Sequence, residues 1–250
     1  MKKLMIAAAA AFCGTVVFGL ESANIVGYME NNKTVAGLNL LAPGFVDVGL
    51  TSIKLTGLKV TNASGGEVTS GNCLVSLIDD LGNATKIYTW ASSGRNNNKT
   101  WGWKEGTAVI DDKVVFGRGV GLLFTAESDG DVLSSFGEAN LSAISFGETA
   151  AGLNVIANPY PTTVTLKALT VTNKDGGEVT SGNCLVSLID DLGNATKIYT
   201  WASSGRNNNK TWGWKEGTAA IDDTVVLEPG QAILFTAETA GDKLIFPSKE

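Results

Sequence analysis

Hydrophobic residues along this chain come in short runs separated by Gly, Asn, Asp and Ser, with one longer run at the start. In the first half the runs are Leu38 to Ala42, Ile53 to Val60, Cys73 to Ile78, Thr85 to Ala91, Thr100 to Lys104, Lys113 to Phe116 and Gly121 to Ala126. Runs of this length bounded by turn formers predict strands. Thr85-Lys86-Ile87-Tyr88-Thr89-Trp90 supplies the β-branched and aromatic residues that suit a pleated surface. Between two runs, Asp79-Asp80-Leu81-Gly82-Asn83-Ala84 offers hairpin chemistry, because Asp, Asn and Gly accept turn conformations. Short strands at regular spacing predict a β-sandwich or a small closed barrel.

The longer run follows Met1-Lys2-Lys3 and extends from Leu4 to Phe18. A positive start, a short apolar stretch and small residues after it form the layout of a secretory signal peptide, since a spanning helix needs about 20 apolar residues. Residues 1–19 are the expected signal peptide, the one helix the sequence predicts, with cleavage after Gly19 and Ser22 or Ala23 as alternatives. Cys13 does not read as a lipoprotein anchor, because Phe12 stands where a small residue is needed. The end, Phe246-Pro247-Ser248-Lys249-Glu250, lacks the terminal aromatic of an outer-membrane barrel. The expected product is a secreted chain, periplasmic, on the cell surface or extracellular, with no membrane insertion of its mature part.

Gly65 to Ala108 is repeated residue for residue as Gly176 to Ala219, an offset of 111. The likeness continues outward in diverged form: Leu123-Phe124-Thr125-Ala126-Glu127 answers Leu234-Phe235-Thr236-Ala237-Glu238, and Gly130-Asp131 answers Gly241-Asp242. Upstream, Ala36 to Ala42 answers Ala151 to Ala157, an offset of 115. A period this long is a duplicated domain, since solenoid repeats are shorter. The expected architecture is therefore all-β, a tandem pair of sandwich (or small barrel) domains over residues 20–138 and 139–250. Recent duplication explains the identical block without reference to function.

Charge narrows the partners. Residues 1–19 contain two lysines and no acids, so the net charge of −6 becomes −8 in the mature chain. An acidic surface argues against nucleic acid. Of three cysteines, Cys73 and Cys184 remain after export, at equivalent positions, one per unit. That excludes a disulfide framework; Cys73 reads as a small apolar side chain in a buried strand, with an inter-unit bridge as the alternative.

Glu21-Ser22-Ala23-Asn24-Ile25-Val26-Gly27-Tyr28 resembles the opening of a large group of secreted "ESANIVGY"-type β-repeat proteins from planctomycete–verrucomicrobial bacteria. That group is similar further on: a Gly-hydrophobic-Asn strand (Gly37-Leu38-Asn39-Leu40 and Gly152-Leu153-Asn154-Val155), a Tyr-x-Trp strand (Tyr88-Thr89-Trp90), Gly102-Trp103 and a Pro-Gly-Gln turn, here Pro229-Gly230-Gln231. The first unit departs from the last motif with Arg118-Gly119-Val120. The resemblance implies a secreted β-repeat protein; the group has no assigned activity, so no active-site residue is transferred.

Catalytic chemistry is sparse. With no histidine in the chain, Ser-His-Asp and Cys-His nucleophile systems and the commonest zinc ligand are excluded. No phosphate-binding glycine loop is spelled, and no metal or cofactor is implied. Asp79-Asp80, Asp111-Asp112, Asp190-Asp191 and Asp222-Asp223 are paired carboxylates by type. Adjacent strand residues point to opposite faces, and Asp in turns bonds backbone, so these read as structural. Calcium at Asp79, Asp80 and Asn83 lacks a recognised loop pattern. The expectation is that the chain is not an enzyme.

All six tryptophans lie in the identical block. Trp101 and Trp103, two apart, face one side of a strand, and Arg95, Asn96, Asn97 and Asn98 precede them. Their copies are Trp212, Trp214, Arg206, Asn207, Asn208 and Asn209. Rings beside amides and a guanidinium suit a sugar's faces and hydroxyls, and two copies suit a polymer; equally, such rings stabilise a sheet by packing. Three readings follow. The first is a structural protein of the cell surface or extracellular matrix, partnered with itself. The second is a tandem carbohydrate-binding protein on a polysaccharide, and the third is an enzyme.

Overall fold

The computed structural model describes residues 25–31, 34–41, 43, 45–47, 52–78, 84–94, 99–139, 141–146, 150–189, 195–205 and 210–249. The expected signal-peptide helix over 1–19 lies outside them. The first half holds β1 (Ile25–Asn31), β2 (Gly37–Leu41), β3 (Ser52–Lys54), β4 (Lys59–Thr61), β5 (Leu74–Ile78), β6 (Ala84–Ser93), β7 (Thr100–Glu105), β8 (Ala108–Val109), β9 (Val115–Gly117), β10 (Leu122–Ala126) and β11 (Val132–Ala139). The second holds β12 (Ile144–Phe146), β13 (Gly152–Ala157), β14 (Val164–Thr165), β15 (Thr170–Thr172), β16 (Leu185–Ile189), β17 (Ala195–Ser204), β18 (Thr211–Glu216), β19 (Ala219–Ala220), β20 (Val226–Leu227), β21 (Ala232–Ala237) and β22 (Lys243–Phe246). Two single-turn 3-10 helices, Leu55–Gly57 and Leu166–Ala168, are the only helical elements among the described residues, so none is long and apolar enough to cross a membrane. The fold is all-β.

Each half builds the same set of sheets. A six-stranded sheet runs β2-β10-β5-β6-β7-β8, matched by β13-β21-β16-β17-β18-β19, and a three-stranded sheet runs β1-β11-β4, matched by β12-β22-β15. A small pair, β3-β9 or β14-β20, completes each half, and every pairing is antiparallel. β5 and β6 pair antiparallel from Leu74↔Thr89 to Ile78↔Ala84, the arrangement expected of a hairpin; its turn, 79–83, lies outside the described residues.

The pleat sends successive side chains to opposite faces. Along β10, Leu122, Phe124 and Ala126 are buried while Leu123 and Thr125 are half-buried. The core of the first half lies between its sheets and joins Val60 and Leu133 to Cys73, Val75, Tyr88, Trp90, Trp103 and Phe124. One expected strand, Ile53 to Val60, is broken: the chain turns through Leu55–Gly57, and Leu58 N–H closes the turn on Leu55 O at 3.0 Å. On a strand Leu55 and Leu58 would face opposite ways. A 3-10 turn superposes residues three apart, so both enter the core, where both are fully buried.

Candidate functional site

The aromatic constellation divides. Trp90 and Trp103 are cross-strand partners whose rings meet edge to face at 5.4 Å and 68°. Trp103 is 2 % exposed, and its Nε1–H donates to Leu58 O at 3.0 Å. Trp214 repeats this on Trp201, at 5.4 Å and 67°, and donates to Leu169 O at 2.9 Å. Trp103 and Trp214 are therefore core residues, which corrects their place in a sugar-binding set: neither ring face nor N–H is open to a ligand. Trp101 and Trp212 point to the same side, as expected, but sit half-buried at the rim of each core, opposite Ser92 and Ser203. Arg95, Asn96, Asn97, Asn98, Arg206, Asn207, Asn208 and Asn209 lie outside the described residues, as do the carboxylate pairs Asp79-Asp80 and Asp190-Asp191.

The remaining carboxylate pairs hold turns. Asp111 accepts Lys113 N–H at 3.0 Å, which lowers its carboxyl below the ordinary value. Asp112 accepts from Lys54 Nζ at 3.0 Å and Thr56 Oγ1 at 2.8 Å, and the lysine contact is the main cause of its lowering. Asp222 is lowered chiefly by the Thr224 hydroxyl, and Asp223 receives Lys167 Nζ at 3.1 Å. Among the described residues no group of three acids or cysteines has the spacing of a metal site.

A buried polar pair that sequence reasoning missed recurs in both halves. Asp131 is buried, and its Oδ2 accepts Glu127 N–H at 3.0 Å, Ser128 N–H at 2.9 Å and the Cys73 thiol at 3.6 Å. Asp242 does the same for Thr239 N–H at 2.8 Å and Cys184 at 3.7 Å. The signal was present in the matching Gly130-Asp131 and Gly241-Asp242, which read only as a boundary of the likeness. Both cysteines are free and buried, so no inter-unit bridge forms. Burial pushes each thiol up to about 11 from an ordinary 9.0. Between those values the unfolded chain ionises its thiols while the folded chain keeps them protonated, so stability is complete below the lower value and falls as pH rises toward the upper. A chain carrying Cys73→Ala and Cys184→Ala is expected to lose less of its urea midpoint across that window than the parent does; equal losses would show that the thiols do not drive the decline.

The two halves meet at a joint with reciprocal geometry. Leu41, at the end of β2, bridges antiparallel to Gln231 in the second half; Ile156, at the end of β13, bridges antiparallel to Val120 in the first. Under the two offsets Leu41 is equivalent to Ile156 and Val120 to Gln231, so the two bridges are one contact made twice. Gly121 N–H donates to Val155 O at 3.0 Å and Ala157 N–H to Gly119 O at 2.9 Å. On the sheet faces turned away from the main cores, Leu40 and Leu123 pack with Val155, Ala157, Ile189, Ala232 and Leu234. Here too Leu40 is equivalent to Val155 and Leu123 to Leu234. The equivalent residues Gly121 and Ala232 face one another: a Cβ built on Gly121 would lie 3.2 Å from that of Ala232. This is the signature of a two-fold, isologous interface, here within one chain.

Turns position the joint. Gly117-Arg118-Gly119-Val120 closes by Val120 N–H to Gly117 O at 3.1 Å, and Glu228-Pro229-Gly230-Gln231 by Gln231 N–H to Glu228 O at 3.0 Å. Gly119 at φ +74° and Gly230 at φ +72° occupy the third position, where a type II turn needs the left-handed region. Pro229 suits the second position; Arg118 there instead reaches the other half. Its guanidinium lies 5.1 Å from the ring centre of buried Tyr160 and donates to Ser142 O at 3.0 Å. Tyr160 Oη donates to Pro247 O at 2.7 Å.

Comparison of the chain with protein families, with curated proteins and with solved structures finds no match in any of the three.

Proposed function

We propose that this chain is a secreted, non-catalytic β-repeat protein with a structural role at the cell surface or in the extracellular matrix. The observation that carries the reading is the joint, where two like β units are tied by reciprocal backbone pairing into one building block. The buried polar side chains repeated in both units support it, since they bond the protein's own backbone: Trp103 and Trp214 on carbonyls, Asp131 and Asp242 on amides. The secretory layout read in the sequence of residues 1–19 and the resemblance to secreted β-repeat proteins support a role outside the cytoplasm. The mature chain is expected to gain mass with concentration in sedimentation equilibrium, from the micromolar into the millimolar range. A constant monomer mass over that range would remove the structural reading.

A second reading rests on Trp101 and Trp212, the half-buried rings repeated at one place in each unit. It makes the chain a bivalent glycan binder with one ring per site rather than two. A saturable change of tryptophan emission with a soluble polysaccharide, lost when Trp101→Ala and Trp212→Ala are combined, is its expected result; a flat response across a panel of polysaccharides would eliminate it.

A further inference from the structure

We infer that the joint is also a docking surface for a second copy of this chain, unit one of one copy seating on unit two of the next. This rests on the structural role proposed above and names the surface that role uses. Three observations carry it. First, the contact is self-complementary: Leu41↔Gln231 and Val120↔Ile156 are equivalent pairs, and among the apolar side chains between the sheets Leu40 answers Val155 and Leu123 answers Leu234. A surface of this kind fits its counterpart whether that belongs to the same chain or to another.

Second, the connection between the units is short. β11 ends at Ala139 and β12 begins at Ile144, and within the link Leu141 packs on the core of unit two while Ser142 O receives Arg118. Shortness of a hinge is a feature that invites exchange between copies. The linked partner enjoys an effective concentration in the millimolar range, so the internal joint prevails in dilute solution and exchange begins where chains are crowded, as on a surface.

Third, the joint is not indifferent to which units meet. Arg118 over Tyr160 and on Ser142 O needs the turn of unit one and the aromatic of unit two. The counterparts are Pro229 and Phe45, which carry neither a cation nor a hydroxyl. Unit one against unit two is the pairing that gains this contact, so docking runs head to tail. It closes as a reciprocal dimer or continues as a row.

The test uses the full mature chain in two single variants, Val120→Cys and Ile156→Cys. Their backbones are antiparallel bridge partners whose flanking residues make the hydrogen bonds, a pair about 4.5 Å apart at Cα and within disulfide reach. Cys73 and Cys184 are buried and do not compete. Mixed at high concentration with a mild oxidant, the two variants are expected to give a disulfide-linked dimer containing one of each, increasing with concentration. The double variant Val120→Cys/Ile156→Cys, oxidised in dilute solution, is expected to bridge within one chain. Leu41→Cys with Gln231→Cys repeats the test at the equivalent pair, should loss of the buried Ile156 side chain impair folding. Internal bridging by the double variants with no mixed dimer at either pair would overturn the inference. If the parent chain still gained mass with concentration, the structural reading would survive with another surface.

Discussion

Trp214→Ala is expected to lower the stability of unit two by about 3–5 kcal/mol, the range for deleting a buried aromatic ring. The ring is 2 % exposed and meets Trp201 edge to face at 5.4 Å. Its removal opens a cavity against a neighbour on the adjacent strand and abolishes a ring contact of about 1 kcal/mol. It also strands the Leu169 carbonyl, which receives the indole N–H at 2.9 Å. Leu169 is fully buried, so no water replaces the lost donor, and an unpaired buried acceptor costs about 1–3 kcal/mol. Trp214→Phe refills most of the volume without the donor, and is expected to recover all but about 1–3 kcal/mol. Trp103→Ala should do the same to unit one, through Leu58 O. Each change takes a large fraction of a unit's stability, which for a domain is about 5–15 kcal/mol. Followed by circular dichroism in urea, the single variants should split the transition, one unit melting early. Trp212→Ala, at a half-buried rim position, is expected to shift it by much less. Equal shifts for Trp212→Ala and Trp214→Ala would contradict the division of the pair into rim and core.

That division explains what the sequence could and could not convey. Strand propensity, short runs and turn residues carried the all-β class, because each signal is local: Leu122 to Ala126 is a short run in the chain and a strand in the sheet. The spacing of Trp101 and Trp103 placed both rings on one face, but not which face, since a core and a sugar platform favour the same residues at the same period. β11 is legible only afterwards. Val132, Leu133, Ser134 and Ser135 are all buried, so both faces of that stretch are covered and no alternation marks it. Ile53 to Val60 reads as one strand because apolar content does not record that Leu55 and Leu58 must reach the same core. The joint was least legible. The Pro-Gly-Gln motif and the difference between offsets of 111 and 115 were visible, yet the reciprocity lies in long-range pairing, which no single stretch of sequence encodes.

The joint also shows why its two halves have diverged where they face each other. Gly121→Ala is expected to weaken the contact by about 1–3 kcal/mol, as overpacking does in a closed interior. The new Cβ would lie 2.2 Å from Val155 Cγ1 and 3.1 Å from the Val155 carbonyl carbon. Val155 cannot turn aside freely, because a β-branched side chain is stiff at χ1. The other half meets the same demand differently: its residue equivalent to Gly121 is Ala232, and the residue equivalent to Val155 is Leu40. Leucine branches one carbon further out and leaves room beside its Cβ for a methyl. Gly with Val and Ala with Leu are thus two solutions to one packing problem, related by the local two-fold axis. Adding Val155→Leu to Gly121→Ala copies the second solution into the first site and is expected to restore at least half of the loss, although Val155→Leu alone should stabilise nothing. Both units keep their own cores, so circular dichroism should change little while the joint opens. The readout is proteolysis within the link 140–143, which speeds up as the units part. Rescue in the double variant would show a non-additive coupling of the kind neighbouring residues give. Purely additive effects would mean that residues 121 and 155 do not meet, and the reciprocal joint would fall with that contact.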